Sequence, residues 1–234
     1  MKEKLKKCYM LSVLVYMFMS AGFISSSAFA GVNVYCEGAY TENDLVLYIY
    51  ADITDPTVLR SAGVKVGYAV SVLTLVSAER NNDVWYLGSE NYNSLETSAP
   101  GEAVFVLGKL DPAHPGEGVN GNRVLLGKIL FNRLESSMPP NGFEVSIGLG
   151  KSGPEGNFAN FVDTSEPAQL LDAAVTFGEI KIFERGDANG DGDVDSRDIK
   201  YLRKEIGAPN LPCWFDCNGD EQIDSRDIKC LRKK

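Results

Sequence analysis

Asp187-Ala188-Asn189-Gly190-Asp191-Gly192-Asp193-Val194-Asp195-Ser196-Arg197-Asp198 decides how the C-terminal part of this chain folds. It is written a second time as Asp216-Cys217-Asn218-Gly219-Asp220-Glu221-Gln222-Ile223-Asp224-Ser225-Arg226-Asp227. Both copies carry oxygen side chains at positions 1, 3, 5, 9 and 12 and an aliphatic residue at position 8. Alternate oxygen-bearing residues can curl around one hard cation, and calcium takes roughly six to eight oxygens. The repeat also runs past the ligands, since Asp-Ser-Arg-Asp-Ile-Lys-x-Leu-Arg-Lys occurs in both copies. Metal binding does not require matched Ser-Arg and Arg-Lys pairs, so the duplication points to a surface that something else reads.

In the first loop Asp187, Asn189 and Asp191 are expected to offer side-chain oxygens and Asp193 its backbone carbonyl. Asp195 acts directly or through water, and Asp198 closes the site. The same order assigns Asp216, Asn218, Asp220, Gln222, Asp224 and Asp227 to a second site. Gly192 suits the positive φ that position 6 demands, whereas the second copy has Glu221 there. A left-handed backbone costs a non-glycine residue about 1–2 kcal/mol, so the second site is expected to be the weaker. Aspartate at position 12, shorter than glutamate, suggests a structural ion rather than a calcium switch.

After each loop the apolar period becomes helical, with Ile199, Leu202 and Ile206 in one copy and Ile228 and Leu231 in the other. Gly207-Ala208-Pro209 stops the first helix. Neither half can bury its stripe alone, so the two are expected to pack together.

Two EF-hand-like calcium loops, each followed by one helix, resemble a type I dockerin over roughly Arg185 to Lys234. The resemblance implies a cohesin partner, read through positions 10 and 11 and through basic residues on the following helix. Carried over, these are Ser196, Arg197, Arg203 and Lys204, and Ser225, Arg226, Arg232 and Lys233. Near-identical copies also resemble the family's dual binding mode, in which either helix faces the partner. Arginine at position 11 is bulkier than the small residues often found there.

Upstream, Lys2, Lys4, Lys6 and Lys7, an apolar run from Met10 to Ile24, and Ala28-Phe29-Ala30 read as a signal peptide over residues 1–30. The expected product is a secreted chain beginning near Gly31, with no membrane span after cleavage. The formal charge of −9 includes many loop ligands and no broad basic stripe, which argues against nucleic acid. Export permits disulfides among Cys36, Cys213, Cys217 and Cys230, and a bridge such as Cys213–Cys230 could staple the second repeat. A zinc site is the rival reading, weakened by the lack of nearby histidine.

Residues 31–182 read as an antiparallel β-sandwich and 183–234 as the calcium domain. Strands are expected at Leu45–Tyr50, Val64–Val70, Ala103–Leu110, Val124–Phe131, Phe143–Leu149 and Ala173–Ile182. At most a short helical turn is expected at Ala168–Ala174. The succession of Asp44–Val76, Gly127–Phe131 and a closing strand at Ala173–Phe177 is similar to cohesins, which implies a non-catalytic adaptor that is both socket and plug and is capable of self-association. A carbohydrate-binding module is the second class, with Trp85, Tyr86 and Tyr92 as a sugar platform and polysaccharide as ligand. A glycoside hydrolase is the third, but Glu79, Asp83, Glu90, Glu96, Glu117, Glu144 and Asp163 offer no distinctive pair. His114, the only histidine, has no nucleophile motif beside it.

Overall fold

The computed structural model describes residues 31–85, 100–109, 117–135, 142–150 and 161–233. The signal-peptide reading therefore lies outside the described residues, as do Tyr86, Tyr92, Glu90, Glu96 and His114.

Among the described residues, nine strands build two sheets. They are β1 (Val32–Tyr40), β2 (Asp44–Ile53), β3 (Leu59–Gly67), β4 (Leu73–Arg80), β5 (Glu102–Gly108), β6 (Gly121–Arg133), β7 (Ser146–Leu149), β8 (Val162–Asp163) and β9 (Val175–Glu184). One sheet has the order β4-β6-β2-β1-β9; in the other, β3 lies beside β5 and pairs with β7 and β8 on separate stretches. Side chains alternate across each strand, so Leu45, Leu47, Ile49 and Ala51 of β2 enter the core while Tyr48 and Tyr50 face outward. Phe105, Leu107, Phe131, Val64 and Val66 fill the space between the sheets. The chain is thus mainly β, a sandwich followed by a small helical module.

One expectation needs correcting: the sandwich is not wholly antiparallel. β9 closes the five-stranded sheet parallel to β1, with Val32 opposite Val175 and Tyr40 opposite Glu184. That register carries the end of β9 to the end of β1, which is where the C-terminal module begins. The turn at Ala168–Ala174 is limited to a single 3-10 turn, Asp172–Ala174.

The module contains α1 (Ser196–Glu205), a 3-10 turn at Cys213–Phe215 and α2 (Ser225–Leu231). Gly207, at φ +92, ends α1 in the left-handed region. Leu202 and Leu231 bury their side chains with Trp214 and Phe215, and Val194 and Ile223, the position-8 residues, pack on the same cluster. The two repeats share one small core.

Candidate metal centre and docking face

Each loop is held by its own carboxylates. Asp187 Oδ1 accepts from the N–H groups of Gly190 and Asp191, at 2.8 and 3.2 Å, and Oδ2 accepts from Gly192 at 3.0 Å. Asp216 does the same with Gly219 and Glu221, at 2.7 and 2.8 Å. Asn189 and Asn218 accept from the N–H two residues on, as do Asp191 and Asp220. These bonds curl the chain into the same turn twice.

Position 12 has a structural role besides the metal binding expected of it from the sequence. Asp198 Oδ1 accepts from Asn189 N–H at 3.1 Å, and Oδ2 accepts from Asp195 N–H at 2.7 Å. The second of these bonds, with Asp195 accepting from Arg197 N–H, completes a capping box on α1. Asp224 and Asp227 repeat it on α2. The signal was available, since Asp-x-x-Asp before an apolar helical stripe reads as a helix start as well as a ligand pair.

Asp187, Asp198 and Asp227 are fully buried and Asp216 nearly so, an unusual concentration of acid in a small module. Burial raises the pKa of Asp187, with Asp198 adding to the rise against the N–H groups of Gly192 and Gly190. Burial likewise raises Asp227, with Asp216 and Asp220 as like charges. An all-oxygen donor set with acids under mutual repulsion suits a hard dication. Among the described residues no three His, Cys, Asp or Glu groups converge as ligands. Arg197 pairs with Asp191 at 2.7 Å and Asp195 at 2.9 Å, and Arg226 pairs with Asp220 at 2.6 Å and Asp224 at 2.8 Å. Glu221 adopts φ +65, the left-handed backbone that the loop pattern demands at position 6.

Ser196, Arg197, Arg203 and Lys204 are exposed, as are Ser225, Arg226, Arg232 and Lys233. Both duplicated pairs thus reach solvent in corresponding settings. The copies differ at the basic end: Arg203 and Lys204 lie in the last turn of α1, but α2 ends at Leu231, so Arg232 and Lys233 follow the helix rather than ride on it.

The disulfide joins Cys217, not Cys213, to Cys230. Cys217 is position 2 of the second loop and comes near the end of α2, whereas Cys213 sits beside Tyr48 and Tyr50 on the sheet. Burial, with Glu37 adding, pushes the Cys213 thiol up to about 12, and burial alone does the same to Cys36. Neither is a thiolate at neutral pH.

Trp85 does not form a sugar platform. It is fully buried in the sandwich core, and its indole N–H donates to the Leu125 carbonyl at 3.3 Å. An apolar ring of this size next to β6 stabilises more by filling the core than by facing solvent. Asp163 accepts from Ser165 and Gln169 and closes the 163–169 turn, which leaves it locked in structure.

Residues 185–234 match the family model described as the dockerin type I domain. Among curated proteins none matches the sequence. Solved structures similar to this one include the seventh ScaB type I cohesin from Pseudobacteroides cellulosolvens, at 15% identity and a TM-score of 0.46, covering 66% of this chain and 93% of that one. The sixth cohesin of Acetivibrio cellulolyticus scaffoldin B, in complex with a Cel5 dockerin mutant, has 18% identity and a TM-score of 0.46 over 65% of this chain and 99% of that one. The Coh-OlpC–Doc435 complex from Clostridium thermocellum gives 14% identity and a TM-score of 0.44 over 65% and 94%.

Proposed function

We propose that this chain is a secreted, non-catalytic adaptor of a cellulosome-like or cell-surface assembly that serves polysaccharide catabolism, and that its C-terminal module docks into a cohesin-type partner. The duplicated, exposed Ser-Arg pairs carry this reading: Ser196-Arg197 and Ser225-Arg226 occupy matching places on two loop-helix units. Two calcium ions order the module. Asp187, Asn189, Asp191, Asp193, Asp195 and Asp198 hold one, and Asp216, Asn218, Asp220, Gln222, Asp224 and Asp227 hold the other, the second more weakly. Calcium supplies the positive charge that the buried carboxylates lack. The protein's own residues do the rest, curling each loop through backbone N–H bonds and capping each helix with its position-9 and position-12 aspartates.

The test is binding of the full chain to immobilised cohesin domains with calcium or with a chelator. Binding in calcium and its loss in chelator are expected. Substituting either Ser-Arg pair alone by Ala-Ala should be tolerated, and substituting both should abolish capture. Loss of binding after one substitution would count against two equivalent modes, and failure with every cohesin would count against the partner class.

A further inference from the structure

The C-terminal module lies on the sandwich, and the contact is built from specific charged and aromatic groups. Leaving β9, Arg185 N–H donates to the Tyr40 carbonyl at 2.8 Å, and Gly186 N–H donates to Trp214 at 2.7 Å. Phe183 of β9 meets the Trp214 ring with centroids 4.7 Å apart. Ala39 of β1 belongs to the module's core rather than to the sandwich's.

Further along the same sheet face, Arg123 of β6 makes a two-point ion pair with Glu37 of β1, at 2.5 and 2.6 Å. Its guanidinium lies 4.3 Å over the Tyr50 ring of β2, and it donates to the Leu211 carbonyl, between the two repeats, at 3.2 Å. The side chains of Arg123 and Glu37 are 15% and 9% exposed. On the outer face of a bare sandwich this pair would stand in water, where ion pairs contribute little. Burial under the module makes it worth more only if its remaining donors are satisfied, and Leu211 satisfies one of them. Arg123 is also held at φ +54, with its N–H donating to Asp52 at 2.7 Å, a strained backbone at a point of contact.

The outlying contact involves the residue that departs from the loop pattern. Glu221, at position 6 of the second loop, pairs with Lys128 of β6, which itself lies over the Tyr48 ring. Glycine there would relieve the backbone strain but could not reach Lys128. Between the two contacts lies a cleft of about 200 Å³, lined by Tyr48, Tyr50, Cys213 and Ile223 together with Asp216, the first ligand of the second loop.

We propose that the outer face of the five-stranded sheet is a built receptor for the chain's own calcium module, latched by Arg123 and anchored by Glu221. Calcium ordering of the second loop and docking on the sheet therefore reinforce each other. The coupling rests on the calcium reading; the docking does not.

Hydrogen exchange of the full chain, with calcium and with chelator, separates the two. In the wild type, calcium should slow exchange of module peptides and also slow β2 peptides containing Tyr48 and Tyr50 by roughly tenfold or more. Arg123→Ala should keep the module's response and lose that of β2, and Arg123→Lys should restore only part of it. Lys128→Glu, a change at a half-buried residue on the outer face that spares the core, should reduce the β2 response if Arg123→Ala fails to fold. Indifference of β2 to calcium while the module responds would overturn the coupling, and an unchanged β2 response in both variants would overturn the latch. If the module ignores calcium altogether, the metal reading fails. Docking is then judged in chelator alone: faster β2 exchange in Arg123→Ala upholds it, and equal rates sink it.

Discussion

Arg197 and Arg226 each fold back on their own loop, and this changes what position 11 does. The order of loop oxygens is legible in sequence because a ring of ligands around one ion fixes their spacing. Where a long arginine side chain comes to rest is not, because its stem reaches several carboxylates equally well. In the structure each guanidinium pairs with the position-5 and position-9 carboxylates of its own loop, and these are calcium's expected ligands. On the proposed calcium reading, metal and guanidinium therefore compete for the same oxygens. Both guanidiniums are solvent-exposed, where ion pairs contribute little, so Arg197→Ala should tighten calcium at the first loop only a few-fold. Arg226→Ala should do the same at the second. Calorimetric titration of the full chain checks this; weaker calcium binding in either variant would mean that the arginine supports the metal loop instead. Trp85 is the opposite case: its Asn-rich neighbourhood suggests exposure, but a ring close to β6 has the core within reach.

At the scale of elements, the strands named from sequence are those whose β-branched and aromatic residues alternate cleanly. β1 and β4 are harder to see. Glu37 and Gly38 interrupt β1, and Glu37 is intelligible only once the C-terminal module covers it. In β4 the pairing with β6 slips between Leu75 and Ser77, which breaks the period of two. β6 shows how tightly the sheets close, because a Cβ at Gly127 would fall 2.4 Å from the Phe105 ring and 2.8 Å from the Glu79 carbonyl. Gly127→Ala should cost about 1–3 kcal/mol, seen as a lower melting temperature of the sandwich. The disulfide acts on a different element. Cys217–Cys230 spans most of the second loop and α2 with a sequence separation of 13, so replacing both with alanine should cost the module about 2–4 kcal/mol. Calcium titration should then show the second loop weakened more than the first; an equal loss at both would mean that the bridge stabilises the shared core instead.

For the whole molecule, the sequence reading divides the chain into a sandwich over residues 31–182 and a separate module over 183–234. That reading follows from a change of hydrophobic period near residue 183, which marks where one pattern ends but carries no information on whether the next unit packs back. The parallel return of β9 beside β1, the Phe183–Trp214 contact and the Arg123–Glu37 pair place the module against the sheet. Both Ser-Arg pairs remain exposed in that position, so a docked module can still offer either face to a partner. The part of the chain that follows residue 30, packed this way, should have a radius of gyration of about 17 Å in calcium, close to that of one compact domain. Small-angle scattering on the chain lacking residues 1–30 should show this value rising in chelator. In calcium it should rise for Arg123→Ala as well, because the module then swings from Gly186 although its loops are still ordered. If chelator expands the wild type but Arg123→Ala stays compact, the Phe183–Trp214 contact holds the module by itself. If neither expands the chain, the module is fixed independently of both calcium and the latch.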